Sequence, residues 1–456
     1  VKLPLPFLDS LQGLPGFDKI AFEQVHASGA TVTSIRVNPG KVVPSIFSNS
    51  QNVPWSHLGY YLESRPSFTF DPLFHAGCYY VQEASSMFLE QALTQCVDLA
   101  APLRVLDLCA APGGKSTHLQ SLLSSDSLLV SNEVIKSRAA VLKQNIIKWG
   151  ASNVVVTNND PSHFARLEGF FDVMVVDAPC SGSGLFRRDE NAIQEWSLDN
   201  VQLCYGRQQR ILSDAMATLK EGGLLIYSTC SYSVEEDEQI MDWLVQEWGM
   251  ESLNLLLQPD WNIVTTETSL ATGYRFYPDK LKGEGFFLAC FRKTTPVSAT
   301  KYKMTKPEKA TAKEKGVVSK WIQSEGVEVF KNASLVWAIP VGLVEALSIL
   351  QANLYLQYAG TTLGEIMHEK LIPDHALALS PLVQPDLVKT ELSYDEAIKY
   401  LQRSDLSISP AQKGWQRVTF QNQALGWMNA LPNRINNYYP KEMRILKQHN
   451  DRAFEK

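Results

Sequence analysis

An α/β fold built on a parallel sheet is the class this sequence predicts, and three observations predict it. Between residues 104 and 292, short apolar runs alternate with longer stretches of helical period. The runs are continuous in apolar character, as in strands buried on both faces under helices. Each run also ends in acids, glycines or cysteines, and in such sheets ligands bind outside the carboxyl ends of the strands, at a topological switch point. Together these describe a Rossmann-like core.

The elements follow in order. Residues 104–109 (RVLDLC) are a buried strand, Ala110-Ala111-Pro112-Gly113-Gly114 a tight turn, and 115–123 a helix. Residues 128–133 are a second strand and 137–149 a second helix. Residues 153–157 are a third strand that ends near Asp160. Residues 171–176 are a fourth, running into Asp-Ala-Pro-Cys at 177–180. A helix is expected over 200–219, with Arg207 and Arg210 in it. Residues 223–228 give a fifth strand, 234–247 a helix with an acidic start, and 286–291 the last strand.

Ahead of this core, residues 1–72 read as a small α+β cap. Residues 34–39 (SIRVNP) look like a strand that exposes Arg36 and Asn38 on one face, because alternate residues share a face. The α/β core is expected over 73–295. It opens with a strand at 79–81 and a helix from 82–86 to about 95, with Ser85 or Ser86 and then Glu90 marking its start. Residues 300–320 hold seven Lys against two Glu, so 296–320 reads as a solvated basic linker, or a disordered arm that touches RNA. Residues 321–456 read as a separate α+β region, divided into 321–385 and 386–456. Strands are expected at 335–340 and 415–420 and a helix at 395–402, before a basic, aromatic tail with Lys441, Arg444 and Lys447.

Composition narrows the class. The 456 residues are 45% hydrophobic and 20% charged, which is globular. Net charge is −6, so any nucleic-acid surface has to be a local patch. No apolar run is long enough to span a bilayer, and the first residues lack the apolar segment of a secretion signal. The seven cysteines are odd in number, widely spaced and without C-x-x-C, which suits neither a disulfide framework nor a usual zinc site. Reduced thiols, no metal, no membrane and a cytoplasmic location are therefore expected.

The strand ends carry the chemistry. DLCAAPGGKST (107–117) is not a phosphate loop, because the first glycine of G-x-x-x-x-G-K-[ST] would fall on Cys109. What remains is an acid, a Gly-Gly turn that lets a ligand approach the backbone, and a helix start that favours a carboxylate. Glu133 at the end of the next strand suits a ribose diol, and Asp160 after the third suits an adenine amino group. Three acids and this turn fit S-adenosylmethionine, which carries an amino acid, a ribose and an adenine but no phosphate. Cys180 and Cys230 end neighbouring strands and should emerge side by side.

Taken together, DLCAAPGGKS, NE-x-x-K-x-R (132–138), DAPCSGSG (177–184), STCS followed by EEDE (228–238) and KGEGFFLA (282–289) resemble the Sun/Fmu-type RNA (cytosine-5) methyltransferases, over about residues 34–292. The tail ALGWMNALPNRINNYYPKEMRIL (424–446) is similar to the branch that includes 16S ribosomal RNA methyltransferase F, which ends in a PUA-like RNA-binding piece. One departure is Pro161 after Asp160, where the family often has a small residue. The resemblance implies methylation of carbon 5 of a cytosine in RNA, most naturally 16S ribosomal RNA in the small subunit, by a monomer. It implies Cys230 as nucleophile on carbon 6, Cys180 as helper in releasing the product, Asp177 on the ring nitrogen and amino group, and Lys115 facing the base. Cofactor contacts would come from Cys109, Ala110, Ala111, Pro112, Gly113, Gly114, Lys115, Glu133, Arg138, Asp160 and Asp177, with Arg138 alternatively pairing Glu133 or binding RNA. Arg36, Asn38, Gln82, Arg187, Arg188, Arg275 and Lys282 are the expected RNA contacts. Alternatives are a catalytically silent RNA-binding assembly factor, methylation of tRNA or another RNA, and DNA cytosine methylation, where the nucleophile sits in a Pro-Cys motif like 179–180.

Overall fold

The computed structural model describes residues 3–42, 47, 50–297, 300–406, 408 and 412–447. Two short helices, Leu5–Ser10 and Lys19–Ala27, lead into the cap; the second is capped by Asp18, which accepts from the Ile20 and Ala21 N–H groups. Strands β1 (Thr33–Val37), β2 (Gly59–Leu62) and β3 (Tyr79–Val81) form an antiparallel sheet in the order β2-β1-β3. Every residue of β1 is buried, which overturns the expected exposed face. Arg36 lies across the Trp149 ring, 4.5 Å from its centroid, and donates to Gln82 Oε1 (2.9 Å) and Thr117 Oγ1 (2.5 Å). Asn38 donates to the Gly77 and Trp149 carbonyls. The long side chain that looked like a surface reader joins the cap to the core.

The expected helix near 82–95 starts differently. Glu83, not a serine, caps it by accepting from the Ser85 and Ser86 N–H groups, and a 3-10 turn (Ser85–Phe88) precedes the helix Leu89–Cys96. Glu90 faces inward and accepts from Ser56, His57 and His118.

The core strands are β4 (Arg104–Asp107), β5 (Leu128–Asn132), β6 (Val154–Thr157), β7 (Phe171–Asp177) and β8 (Leu219–Thr229), parallel in the order β8-β7-β4-β5-β6. Alternate residues pack on opposite faces: Leu106, Val130, Val155 and Met174 into one apolar cluster, Val105, Leu129, Val154 and Val173 into the other. Beyond β8 the sheet continues antiparallel through β12 (Phe286–Lys293), β11 (Thr272–Phe276) and β10 (Val264–Glu267), with β9 (Met250–Leu253) also on β12. Helices Gly114–Leu122 and Lys136–Trp149 lie close to expectation. The helix expected over 200–219 is Leu198–Ala215, and the chain then tightens into a 3-10 turn where the Thr218 hydroxyl binds the Leu167 carbonyl. The helix expected from 234 begins only at Glu238, because residues 231–237 are engaged by the loops described below.

The C-terminal region contributes a strand to the core sheet. Strands β13 (Val327–Asn332), β14 (Leu335–Pro340), β16 (Thr361–Met367) and β17 (Lys370–Pro373) make their own antiparallel sheet, but β15 (Leu356–Ala359) leaves it and pairs antiparallel with β6. The ten-stranded central sheet therefore includes a strand from beyond residue 321. The last sheet, β18 (Lys389–Glu391), β19 (Gly414–Phe420), β20 (Gln423–Leu431) and β21 (Arg434–Asn437), shares an apolar core with the cap: Leu392, Tyr400, Val418 and Tyr439 meet Ile35, Val37 and Tyr79. The stretch expected as a basic linker holds a helix, Ala312–Val318, closed by a Thr311/Glu314 capping box, and three of its lysines are paired: Lys309 and Lys315 with Glu328, Lys313 with Glu369. Among the described residues no helix is long and apolar enough to cross a membrane.

Candidate active site

All five parallel strands deliver their carboxyl ends to one edge. β4 ends on Asp107, beside Ser131 of β5 and Val175 of β7, and Asp177 of β7 lies beside Ser228 of β8. The chain reverses its direction of winding at β4 and β7, which places the switch point here. A cleft of about 170 Å³ opens at this point, lined by Tyr80, Gln82, Cys109 to Pro112, Gly114, Lys115 and Asp177.

The floor of the cleft is the turn after β4. Gly113 sits at φ +113, a conformation open to glycine, and starts the helix Gly114–Leu122. Asp107, fully buried, accepts from Ser116 Oγ at 2.6 Å and so ties the strand to that helix. Burial pushes its carboxyl up to about 7, against the Ser116 hydrogen bond. Its Oδ1 has no hydrogen-bond partner. Lys115 crosses the cleft to Asp177, Nζ to Oδ2 at 2.8 Å, and its ammonium stands 5.1 Å from the centre of the Phe286 ring. Burial acts to lower the Lys115 ammonium, but Asp177 outweighs it and the net direction is up. Asp177 also accepts from Ser228 Oγ at 2.9 Å.

Glu133 is nearly buried at the end of β5. Its Oε1 accepts the Ile135 N–H (2.9 Å) and its Oε2 faces Arg138 at 3.6 Å, while Arg138 also donates to the Ala111 carbonyl at 2.8 Å. Arg138 thus pairs with Glu133 while its side chain stays half-exposed. Asp160 caps the turn Pro161–Leu167, accepting the Ser162 N–H and hydroxyl, both on Oδ1; these bonds hold its carboxyl below its ordinary value. The residues present fit a ligand with an amino acid and a diol. An unpartnered buried acceptor beside the turn suits an ammonium, the open backbone of 110–114 suits a carboxylate, and Glu133 suits two hydroxyls.

The two thiols meet above this floor. Cys180 Sγ lies 3.0 Å from Cys230 Sγ, each in the loop that follows its strand. The hydrogen bond to Cys230 and burial push the Cys180 thiol well above its ordinary range. Glycines allow the loops to close: a Cβ on Gly184 would meet the Gly285 carbonyl at 2.4 Å and that of Cys230 at 2.8 Å. The Gly184 N–H donates to the Cys230 carbonyl at 2.8 Å, and the Tyr232 N–H to Ser183 Oγ at 3.0 Å.

Several expected RNA contacts lie elsewhere in the architecture. Arg275 is fully buried, donating to Glu238 through Nε (2.7 Å) and Nη2 and facing Asp237 at 3.2 Å. Arg187 is buried against Glu284 at 3.1 Å, whereas Arg188, on the same carboxylate at 3.2 Å, is partly exposed. Arg36, Asn38, Arg187 and Arg275 are therefore corrections to the expected RNA surface: their polar atoms are engaged inside the fold, in joining the cap to the core and in holding the loops. Gln82 lines the cleft, and Lys282 is exposed, 4.4 Å from the Tyr61 ring centre. Sequence reasoning passed over Glu236, Gln208, Ser181 and Ser231. The run Glu235-Glu236-Asp237-Glu238 reads as a solvated helix start, yet Glu236 and Asp237 are fully buried.

Three family models match successive parts of the chain. Residues 3–84 match the N-terminal domain of 16S rRNA methyltransferase RsmF, 95–292 match 16S rRNA methyltransferase RsmB/F, and 388–445 match the methyltransferase RsmF PUA domain. Ribosomal RNA small subunit methyltransferase F of Escherichia coli O127:H6 is 33% identical over 413 residues, 86% of this chain and 84% of that protein. The protein of the same name from Shigella sonnei is 32% identical over 415 residues, with the same shares. Among solved structures, a methyltransferase homologue from Pyrococcus horikoshii is 29% identical with a TM-score of 0.51, covering 64% of this chain and all of that one. NSun6 from Pyrococcus horikoshii, crystallised with SFG, has a TM-score of 0.53 at 19% identity over 64% of this chain and 98% of that one, a likeness of fold.

Fold, cleft and family matches thus define the class, an S-adenosylmethionine-dependent RNA methyltransferase. Within that class the chain belongs to the ribosomal RNA small subunit methyltransferase F family, with that family's N-terminal and PUA domains at its two ends.

Proposed function

We propose that this enzyme methylates carbon 5 of a cytosine in 16S ribosomal RNA of the small subunit, through a covalent bond between Cys230 and carbon 6. The observation that carries the reading is the thiol pair, with Cys180 and Cys230 3.0 Å apart at the ends of adjacent strands beside the cleft. Carbon 5 of cytosine is a weak nucleophile, and a thiolate added to carbon 6 makes it an enamine-like one.

The residues divide the work as follows. Cys230 attacks carbon 6. Asp177 and Lys115, paired at 2.8 Å, meet the ring-nitrogen and amino edge and support the charge that builds there. S-adenosylmethionine, held by the 109–114 turn, Glu133, Asp160 and Asp177, supplies an electrophilic methyl group. Cys180 begins as a protonated thiol, kept so mainly by Cys230. Once Cys230 is bonded to carbon that restraint falls away, and Cys180 gives its own proton to solvent and becomes a thiolate. Cys180 then takes the carbon-5 proton, directly or through a water, and Cys230 is expelled. The target base has to be unpaired or flipped, since the ring carbons are hidden inside a helix. Arg188, Lys282 and Gln82 are the RNA contacts best supported by their positions at the surface or in the cleft.

The test is incubation with methyl-labelled S-adenosylmethionine and, separately, free 16S RNA, assembled small subunits, tRNA or DNA, followed by nucleoside analysis. Label in 5-methylcytosine of 16S RNA, free or assembled, is expected. Label in tRNA or DNA alone would redirect the substrate, and no label in any would sink the catalytic reading.

A further inference from the structure

We propose that Glu236 is the positioning residue that sets the approach of the two thiols: one buried carboxylate holds the loop of Cys180, the loop of Cys230 and the helix Leu198–Ala215 together. The inference of a catalytic consequence rests on the paired-thiol reading above; the clamp itself is a matter of geometry.

The residue after each cysteine is a serine, and both serines turn to the same oxygen. Ser181 Oγ donates to Glu236 Oε2 at 2.5 Å and Ser231 Oγ at 2.6 Å, and the two hydroxyls stand 3.4 Å apart. Oε1 accepts the Ser181 N–H at 2.8 Å and Gln208 Nε2 at 3.2 Å, and Gln208 also donates to the Pro179 carbonyl at 3.1 Å. The residues on both sides of Cys180 and the one after Cys230 are thus bound into a single network. Glu236 is itself fixed, with its carbonyl accepting from Tyr227 Oη at 2.6 Å and its N–H donating to the Ser233 carbonyl. It is fully buried, and a buried carboxylate that accepts four hydrogen bonds has little freedom to leave. Burial pushes its carboxyl upward against the Ser181 and Ser231 bonds, and its charge contributes to holding the Cys180 thiol up. None of its contacts lies in the cleft, so it acts through the cysteines.

The approach of the thiols can be read without methyl transfer, by titrating the full chain with phenylarsine oxide. Its arsenic forms bonds to both sulfurs, and the As–O bond breaks to release water made with the two thiol protons. Mass mapping identifies which cysteines are bridged. In the wild type, a Cys180–Cys230 bridge is expected. In Glu236→Ala its rate of formation should fall at least tenfold, with kcat for RNA methylation falling in parallel while KM for RNA stays within about threefold. Glu236→Gln keeps an acceptor for the serines and should recover most of both. The proposal is overturned if a folded Glu236→Ala protein, judged by circular dichroism and an unchanged melting midpoint, is bridged at the wild-type rate. If that variant does not fold, the double variant Ser181→Ala/Ser231→Ala takes the same measurement with the same two outcomes. Loss of bridging in the variants of a protein that methylates no RNA would support the clamp and defeat the reaction, so the two failures are separable.

Discussion

Cys180 and Cys230 lie 3.0 Å apart, sulfur to sulfur, although fifty residues separate them in the chain. Adjacency of β7 and β8 brings the two loops to one edge, with Asp177 in register with Ser228 immediately before them. Two thiols in contact beside a cofactor cleft can take different halves of a reaction, one attacking the base while the other handles a proton.

Attack by one thiol and proton removal by the other give opposite phenotypes for the two cysteines. Cys230→Ala should abolish turnover and form no covalent RNA complex. Cys180→Ala or Cys180→Ser should accumulate a protein–RNA adduct stable on denaturing gels. Swapped phenotypes would exchange the two roles.

Lys115 and Asp177 should behave as a unit. Lys115→Met removes the cation that faces Asp177 at 2.8 Å and lowers kcat by about 100-fold, the scale seen when a charge-stabilising group is lost. Asp177→Asn keeps an acceptor for Ser228 and should lose a similar factor, with the double variant little worse than either single one. Additive losses would separate the two residues.

Arg275 is a stability prediction. It is fully buried between Asp237 and Glu238, so Arg275→Met leaves buried carboxylates without their cation, at a cost of about 3–5 kcal/mol. Chemical denaturation of the pure protein measures it. If Arg275 were instead an RNA contact, the variant would keep wild-type stability and lose affinity.

Acid should unfold this protein early. Burial lowers His26, His75 and His118 to about 4 and His375 to about 3, and both ring nitrogens of His375 lack partners. Between these values and the ordinary 6.5, the unfolded chain binds protons that the folded one refuses. Stability is therefore full above about pH 6.5 and falls as pH drops toward 4, by about 1.4 kcal/mol per pH unit for each histidine. Glu90 adds a loss at lower pH. Burial acts to raise its carboxyl, but hydrogen bonds from His118 and His57 outweigh it and hold it at about 2, so its contribution is present above the ordinary carboxylate range and is lost as pH falls through that value. Denaturation between pH 7 and 5 should show an uptake of up to about four protons by these histidines on unfolding, less about one that Asp107, raised to about 7, releases. No net uptake would show that these histidines titrate normally.

The sequence by itself determined the parallel core and the ends of its strands. Continuous apolar runs can only be buried on both faces, and the acid, the Gly-Gly turn and the two cysteines had to follow those runs at one edge. It also determined that Cys180 and Cys230 are neighbours, because connected strands of such a sheet lie side by side. Only the tertiary structure decided what the long polar side chains do. Arg36, Arg275 and Glu236 carry charge, and local pattern sends charge to the surface. Their partners lie 46 residues away at Gln82, 37 at Glu238 and 55 at Ser181, a distance over which periodicity says nothing. The same holds for β15, whose short apolar run gives no sign that it will complete the edge of a sheet begun two hundred residues earlier by pairing with β6. Burial of a charge, or choice of an edge, is fixed by which distant groups satisfy it, and that is settled only when the chain has closed on itself.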